Sequence, residues 1–387
     1  MGAMNNELTM ILAIVPAFLY VLVIMRFTFG WFSLDNASSS RPKPSLSNPL
    51  SASKTKVSII IAARNEAHSI TRCLEAIALQ NYSLNLFELI IVNDHSSDAT
   101  EVEVNSFIGK YPQLSILFLN AIGEGKKNAI TQGITTSTGK LILVTDADCT
   151  MSQGWIQAFV GAYELKGAQC IAGPVKMSGE GPFAGLQSLE FMSLIGSGAG
   201  SIGARMPVMC NGANFCYQRA AFEAVKGFEG NSRYASGDDV FLMLKISKRY
   251  GAGAVTFLKD REAIVTTAAQ PDLRSFLNQR MRWTSKSPGY TDFGIILTAI
   301  SVLLMNLAML IGVGYGVLTG KWQPFLIVAI SKLIIDLPLL IGVASFMKQK
   351  RLLRYYIPLQ IIMPFYVVFT AIGGLFLTVS WKGRPVK

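Results

Sequence analysis

The sequence predicts an α/β domain with a Rossmann-like sheet, flanked by transmembrane helices. Three observations carry that prediction. Short β-branched runs alternate with helical stretches between Lys56 and about Thr150. Long apolar segments bracket this region on both sides. Hydrophobic residues make up 51% of the 387-residue chain and charged residues only 15%, against about 25% in an ordinary soluble domain. That composition excludes a disordered chain and argues against a fully soluble one. At roughly 100–200 residues per domain, the length allows two or three units.

The first apolar run, Met10 to Met25, continues through Arg26 to Phe32 and so reaches the ~20 residues a bilayer crossing needs. Arg26 can snorkel to the interface. No basic region precedes the run and no small-residue cleavage site follows it, so residues 1–34 read as an anchor helix rather than a cleaved signal peptide. Residues 35–55 are rich in Ser and Pro and read as a tether. Residues 56–270 form the predicted catalytic domain. Within it Val57–Ile61, Leu89–Val92, Ile116–Leu119 and Leu141–Thr145 are strands, and Glu66–Gln80, Asp98–Ile108 and Gly125–Thr135 are helices. Buried strands separated by helices imply parallel pairing, and such sheets bind ligands at the carboxyl ends of their strands. Residues 177–213 are rich in Gly and Met. In that stretch Phe183–Ile195 has helical apolar spacing, which fits either core or the wall of an acceptor groove.

Residues 271–291 form an amphipathic, basic interface segment, and 292–387 a membrane region of about three helices: Phe293–Leu318, Pro324–Phe346 and Tyr356–Ser380. The net charge is +11, and it is unevenly placed. Residues 291–387 carry 9 basic and 2 acidic residues, whereas residues 35–290 are nearly balanced at 25 and 21. A basic excess in the most apolar part of the chain points to a bilayer surface, not to nucleic acid. The loop 348–354 (KQKRLLR) belongs in the cytoplasm by the positive-inside rule. A fourth full crossing would then place the basic tail WKGRPVK outside, against the same rule. Either the tail is an exception or Tyr356–Ser380, broken by Pro358, Pro364 and Gly373-Gly374, does not cross simply. Lys332 and Asp336, four apart in an apolar helix, read as an internal ion pair or as a contact to a head group or another helix. Five cysteines without a CxxC read as reduced core residues. His68 and His95 are too few for a multi-histidine metal site.

Several polar groups fall at strand ends or helix starts. Asp146 and Asp148, spaced i, i+2, can hold Mg2+ or Mn2+ through hard oxygens, although an isolated match is equally a turn or N-cap. Lys126, in the Gly-flanked helix start Gly125-Lys126-Lys127, suits a phosphate, but the segment is not a Walker A sequence and alone is a solvated lysine pair. Asp238 and Asp239 are adjacent acids, an arrangement that raises a carboxylate pKa toward general-base use or simply lines a helix N-terminus. Arg282 can clasp a diphosphate, and Trp283 beside it offers a flat apolar face; the plain alternative is an interfacial helix with a snorkelling arginine. None of these decides alone.

In this order, on a membrane-tied α/β domain, they resemble the membrane-bound family 2 glycosyltransferases of the GT-A fold. That branch includes hyaluronan, chitin and cellulose synthases and ceramide glucosyltransferase. The resemblance runs from about Val57 to Trp283 and rests on Asp94, Asp146-Ala-Asp148, Gly237-Asp238-Asp239 and Gln279-x-x-Arg282-Trp283. Ala63-Arg64-Asn65-Glu66 and Asn211-Gly-Ala-Asn214 also match. It implies a mixed GT-A sheet, with Asp94 at a uracil ring and Glu66 near the nucleoside. Asp146 would lie at the ribose and diphosphate and, with Asp148, at a divalent cation. Lys126 would lie near the diphosphate. Asp239 would be the base, with Asp238 beside it. Gln279, Arg282 and Trp283 would close over the diphosphate and the acceptor end. The implied activity is inverting transfer from a UDP-sugar to a membrane lipid hydroxyl, by an inner-membrane protein whose catalytic domain faces the cytosol. Because the QxxRW form is shared with processive enzymes, a polysaccharide synthase acting on a growing glycan is the alternative. A non-catalytic nucleotide-sugar-binding subunit is an alternative of another class.

Overall fold

A computed structural model describes residues 2–36, 53–231, 236–377, 379–382 and 384–386. Most of the predicted tether 35–55 lies outside the described residues. The α/β domain is built on β1 (Val57–Ala63), β2 (Phe87–Asn93), β3 (Ile116–Asn120) and β4 (Leu141–Val144). These pair parallel in the order β3-β2-β1-β4. β1 and β4 are buried along almost their whole length, which is why their sequences VSIIIAA and LILV are continuous apolar runs. The sheet then turns mixed, as the family resemblance implied. β8 (Phe215–Gln218) pairs antiparallel with both β4 and β6 (Cys170–Ala172), and β9 (Val255–Phe257) closes the far edge. A second, three-stranded sheet joins β5 (Thr150–Met151), β10 (Val265–Ala268) and β7 (Val175–Ser178).

The helices between the parallel strands are α2 (Ile70–Ala78), α3 (Thr100–Lys110) and α4 (Lys126–Thr136). The first begins later than the periodicity predicts. Glu66 to Ser69 form a turn instead, with the Ser69 and Ile70 N–H groups both donating to the Glu66 carbonyl at 2.9 Å. α3 also starts two residues late, since Asp98 caps it by accepting from the Thr100 N–H at 3.0 Å. Four cysteines pack in the core, Cys210 is half-buried, and all five are free thiols.

Four helical segments are long and apolar enough to cross a bilayer: Met10–Ser33, Phe293–Thr319, Gln323–Phe346 and Lys350–Phe376. The chain is accordingly a membrane protein. They belong to α1 (Gly2–Ser33), α10 (Phe293–Thr319), α11 (Gln323–Phe346) and α12 (Tyr356–Phe376). The first packs along α6 (Gly181–Gly203) at small residues: a Cβ added to Gly200 would sit 2.2 Å from the Phe27 carbonyl oxygen, so only glycine permits this approach. Lys332 and Asp336 pair as an i, i+4 couple and also reach two other helices. Tyr20 donates to Asp336 at 2.7 Å, and Gln360 donates to it at 2.9 Å.

α12 stays against the domain from end to end. Before it, Gln349 donates to the Met177 carbonyl at 3.3 Å. Along it, Tyr366 donates to Glu190 at 2.8 Å, and the Thr370 carbonyl accepts from Thr284. Beyond it, in the hairpin of β11 (Val379–Trp381) and β12 (Arg384–Val386), Lys382 pairs with Glu66.

Candidate active site

Because β1, β2 and β4 run parallel, their carboxyl ends deliver Arg64–Glu66, Asp94 and Asp146–Asp148 to one edge of the sheet. Arg64 ties two of these ends together: its Nη1 donates to the carbonyls of Asp94 and His95, each at 2.8 Å. The Asp94 carboxylate is buried and accepts from the Gly125 N–H at 3.1 Å. Gly125 has φ +93°, a conformation other residues rarely adopt, and this sets Lys126 at the first position of α4. Lys126 Nζ then lies 2.6 Å from Asp146 Oδ1. Burial opposes the lysine charge, yet Asp146, Asp238 and Asp239 more than offset it and hold its pKa above the usual lysine range.

Asp148 behaves oppositely. Burial, and then the nearby Asp146 carboxylate, raise its pKa, while Thr267 on β10 donates to it at 3.0 Å. Two hard, half-buried carboxylates that repel each other fit a divalent cation, which would relieve that repulsion. Among the described residues no cluster of three or more His, Cys, Asp or Glu groups is arranged to hold a metal. Asp146 and Asp148 would therefore be the protein ligands, with phosphate and water supplying the others.

Gly237 has φ +83° and turns the chain into α8 (Asp238–Tyr250), so that both acids open the helix. Asp239 accepts from the Gly212 N–H at 2.7 Å and from the Val240 N–H at 2.8 Å. Burial raises its pKa, and Asp238 adds to this against the opposing charges of Lys286 and Lys126. The Gly212 loop is itself anchored to the segment that leads into Asp146 and Asp148. Thr145 donates to the Ala213 carbonyl at 2.9 Å, and the fully buried Asn214 accepts from Trp155 and donates to Pro174 and Ala263.

α9 (Leu273–Thr284) brings the last cation. Burial lowers the Arg282 pKa, and Asp146, Asp238 and Asp239 act against that. These are the same three carboxylates that act on Lys126. Lys126 and Arg282 are thus two cations that act on Asp146, Asp238 and Asp239. Gln279 and Trp283 are engaged differently: Gln279 accepts from Arg280, and Trp283 stacks between the Arg280 guanidinium (4.3 Å) and the Phe191 ring (6.1 Å). Burial raises the Glu66 pKa, Lys382 partly offsets that rise, and the Asp148 charge adds to it.

Some participants carried no local signal. Lys382 lies 316 positions from Glu66. Arg280, inside the QxxRW segment, is paired in the interior with Glu190 at 2.6 Å, and Tyr366 bonds the same carboxylate. Only the helical spacing of Phe183–Ile195 could have drawn attention to Glu190. A buried guanidinium stripped of its partner is costly, so Glu190→Gln is expected to lower stability by about 3–5 kcal/mol. Thermal unfolding in detergent measures this, and the paired change Glu190→Gln with Arg280→Met should recover part of the loss.

Residues 58–225, the span that contains Asp94, Lys126, Asp146, Asp148 and the Gly212 loop, match the sequence profile of Glycosyl transferase family 2. The chain carries a family 2 glycosyltransferase domain. The domain is 31% identical over 122 residues to glycosyltransferase AglE of Haloferax volcanii, covering 32% of this chain and 40% of that protein. It is 30% identical over 159 residues to a dolichyl-phosphate beta-glucosyltransferase of Dictyostelium discoideum, covering 35% of this chain and 48% of that one. The chain thus spans less than half the length of these curated relatives. A mannosyltransferase from Pyrobaculum calidifontis, solved with GDP-Man and Mn2+, superposes over 95% of this chain and 99% of its own with a TM-score of 0.58 at 17% identity. That likeness concerns the fold of the glycosyltransferase and its flanking helices.

Proposed function

We propose that this glycosyltransferase moves one sugar from a UDP-sugar to a hydroxyl of a membrane lipid at the cytosolic face of the membrane, with inversion. The observation that carries the reading is the placement of Arg282. It faces Asp146, Asp238 and Asp239, while the same helix α9 lies against apolar α12, where Thr284 donates to the Thr370 carbonyl at 2.8 Å. Donor chemistry and a lipid surface therefore meet within one helix. A lipid-linked acceptor is also named in the dolichyl-phosphate relative.

In this reading Asp94 and Glu66 hold the nucleoside, and Lys126 and Arg282 face the diphosphate. Asp239 takes the acceptor proton as the acceptor oxygen attacks the anomeric carbon. The bond from that carbon to the diphosphate breaks on the opposite face, and both cations stabilise the charge that develops there. Gln279 and Trp283 border the acceptor end. A divalent cation bound to Asp146 and Asp148 would supply Lewis-acid neutralisation of the leaving diphosphate.

The same reading includes a membrane topology, supported by the contacts of α12 with the domain. α1, α10 and α11 cross the bilayer, and α12 lies along the domain with both of its ends on the cytosolic side. The tail then keeps its positive charge inside.

The test is to incubate membranes containing the protein with a panel of nucleotide-sugars and Mg2+ or Mn2+, then to analyse extracted lipids by mass spectrometry. A lipid carrying one added hexose is expected. A long glycan would replace the reading with a polymer synthase, and an unconsumed panel would replace it with a non-catalytic binding subunit.

A further inference from the structure

Away from the donor cleft, the junction of the domain with the end of α11 forms an open cavity of about 420 Å3. Its floor comes from the β5-β10-β7 sheet, and its wall from Phe346 to Gln349. Three cationic side chains line it, Lys176, Arg261 and Lys348, and no lining residue is acidic. Arg261 is fixed in place: its Nε donates to the Phe346 carbonyl at 2.9 Å and its Nη2 to that of Ser345 at 3.3 Å. Lys176 and Lys348 form no ion pair among the described residues. Behind the lining, the Glu262 carboxylate accepts from the lining residue Ser152 at 2.8 Å.

Position identifies the ligand class. The wall begins at Phe346, the last residue of an apolar segment long enough to cross the bilayer. Trp31, two residues before the end of α1, is buried between Phe346 at 5.6 Å and Phe257 of the domain at 6.3 Å, so the ends of two apolar helices meet the domain at this level. A cationic cavity at that height, with apolar Met151, Ile264 and Met347 in its lining, offers charge to a phosphate and apolar surface to what is attached to it. Basic pockets beside spanning helices on the cytoplasmic side take anionic lipid head groups in this way. The volume is within the ~300–1,000 Å3 usual for small-molecule sites.

We infer that this cavity binds the head-group phosphate of an anionic phospholipid. The site is separate from the donor cleft yet joined to it by one strand. Thr266 lines the cavity, and its neighbour Thr267 donates to Asp148.

The experiment uses the full chain in detergent micelles, equilibrated with equal phosphatidylglycerol and phosphatidylcholine and read by native mass spectrometry. Preferential retention of one phosphatidylglycerol is expected. That preference should fall about 5-fold for each lysine removed in Lys176→Gln and Lys348→Gln. Lys176→Arg with Lys348→Arg should keep the preference, which separates charge from folding, and UDP binding should stay the same in all variants. Equal retention of both lipids by the unaltered protein, or an undiminished preference in the double Gln variant, would overturn the inference. Loss of the lipid to millimolar inorganic phosphate would also overturn it, by assigning the cavity to a free anion. Because lipid retention is read without turnover, the result stands apart from the proposed transfer activity.

Discussion

Replacing Asp239 by asparagine is expected to lower kcat for sugar transfer by about 10²–10⁴-fold, the usual contribution of a positioned base. Nucleotide-sugar binding should be largely retained. The substitution is nearly isosteric, and an asparagine oxygen can still accept from the Gly212 N–H that the carboxylate holds at 2.7 Å. What is lost is the ability to take a proton. The pH profile provides a second, independent check. Asp239 must be ionised to act, and burial followed by Asp238 raises its pKa above the ordinary carboxylate range. Activity should therefore fall on acidification at a higher pH than the ~4 of a free carboxylate. Asp238→Asn removes a like charge, so it should move that acidic limb to lower pH. Near-normal turnover in Asp239→Asn, or an unmoved limb in Asp238→Asn, would remove Asp239 from this role.

Asp148→Asn is expected to lower kcat by about 10²–10³-fold at fixed Mn2+, comparable to losing one strong stabiliser of transition-state charge. The divalent-cation concentration needed for half-maximal rate should rise as well. The fold should not suffer. Asp148 is held with a raised pKa by burial and by Asp146, so the neutral side chain removes a repulsion and keeps an oxygen for the Thr267 hydroxyl. Cation titration of donor binding by calorimetry reads this directly, beside a thermal midpoint equal to or above that of the parent chain. A rate and a cation dependence both unchanged would show that Asp148 does not hold the ion.

Local pattern accounts for much of this domain. Strands β1, β2 and β4 are legible because both of their faces are buried, which makes their sequences continuously apolar. Asp94, Asp146 and Asp148 follow as the first acids beyond β2 and β4. β8 was not legible. It is four residues long and takes its place by pairing antiparallel with β4 and β6, far from it in sequence. The start of α2 differs from the periodicity because Glu66 to Ser69 close into a turn, which the Asp98 and Thr100 side chains hold by accepting from the Ala67 and Glu66 N–H groups. Fate within a single motif also differed. Arg282 reaches the carboxylates, while Gln279 and Trp283 pack on Arg280, a residue that the motif leaves unspecified.

The sequence by itself determined the parallel half of the sheet, the apolar helices and the identities of the acids and cations. These depend on periodicity, length and residue chemistry, all of which are local. Tertiary structure alone decided that Lys126 pairs with Asp146, that the Gly212 N–H holds Asp239, and that Glu190 anchors Arg280. It also decided that α12 returns the tail to the domain, so that Lys382 meets Glu66. Contacts between such distant positions leave no period in the chain, because they are set by where packed helices and strand ends meet in space.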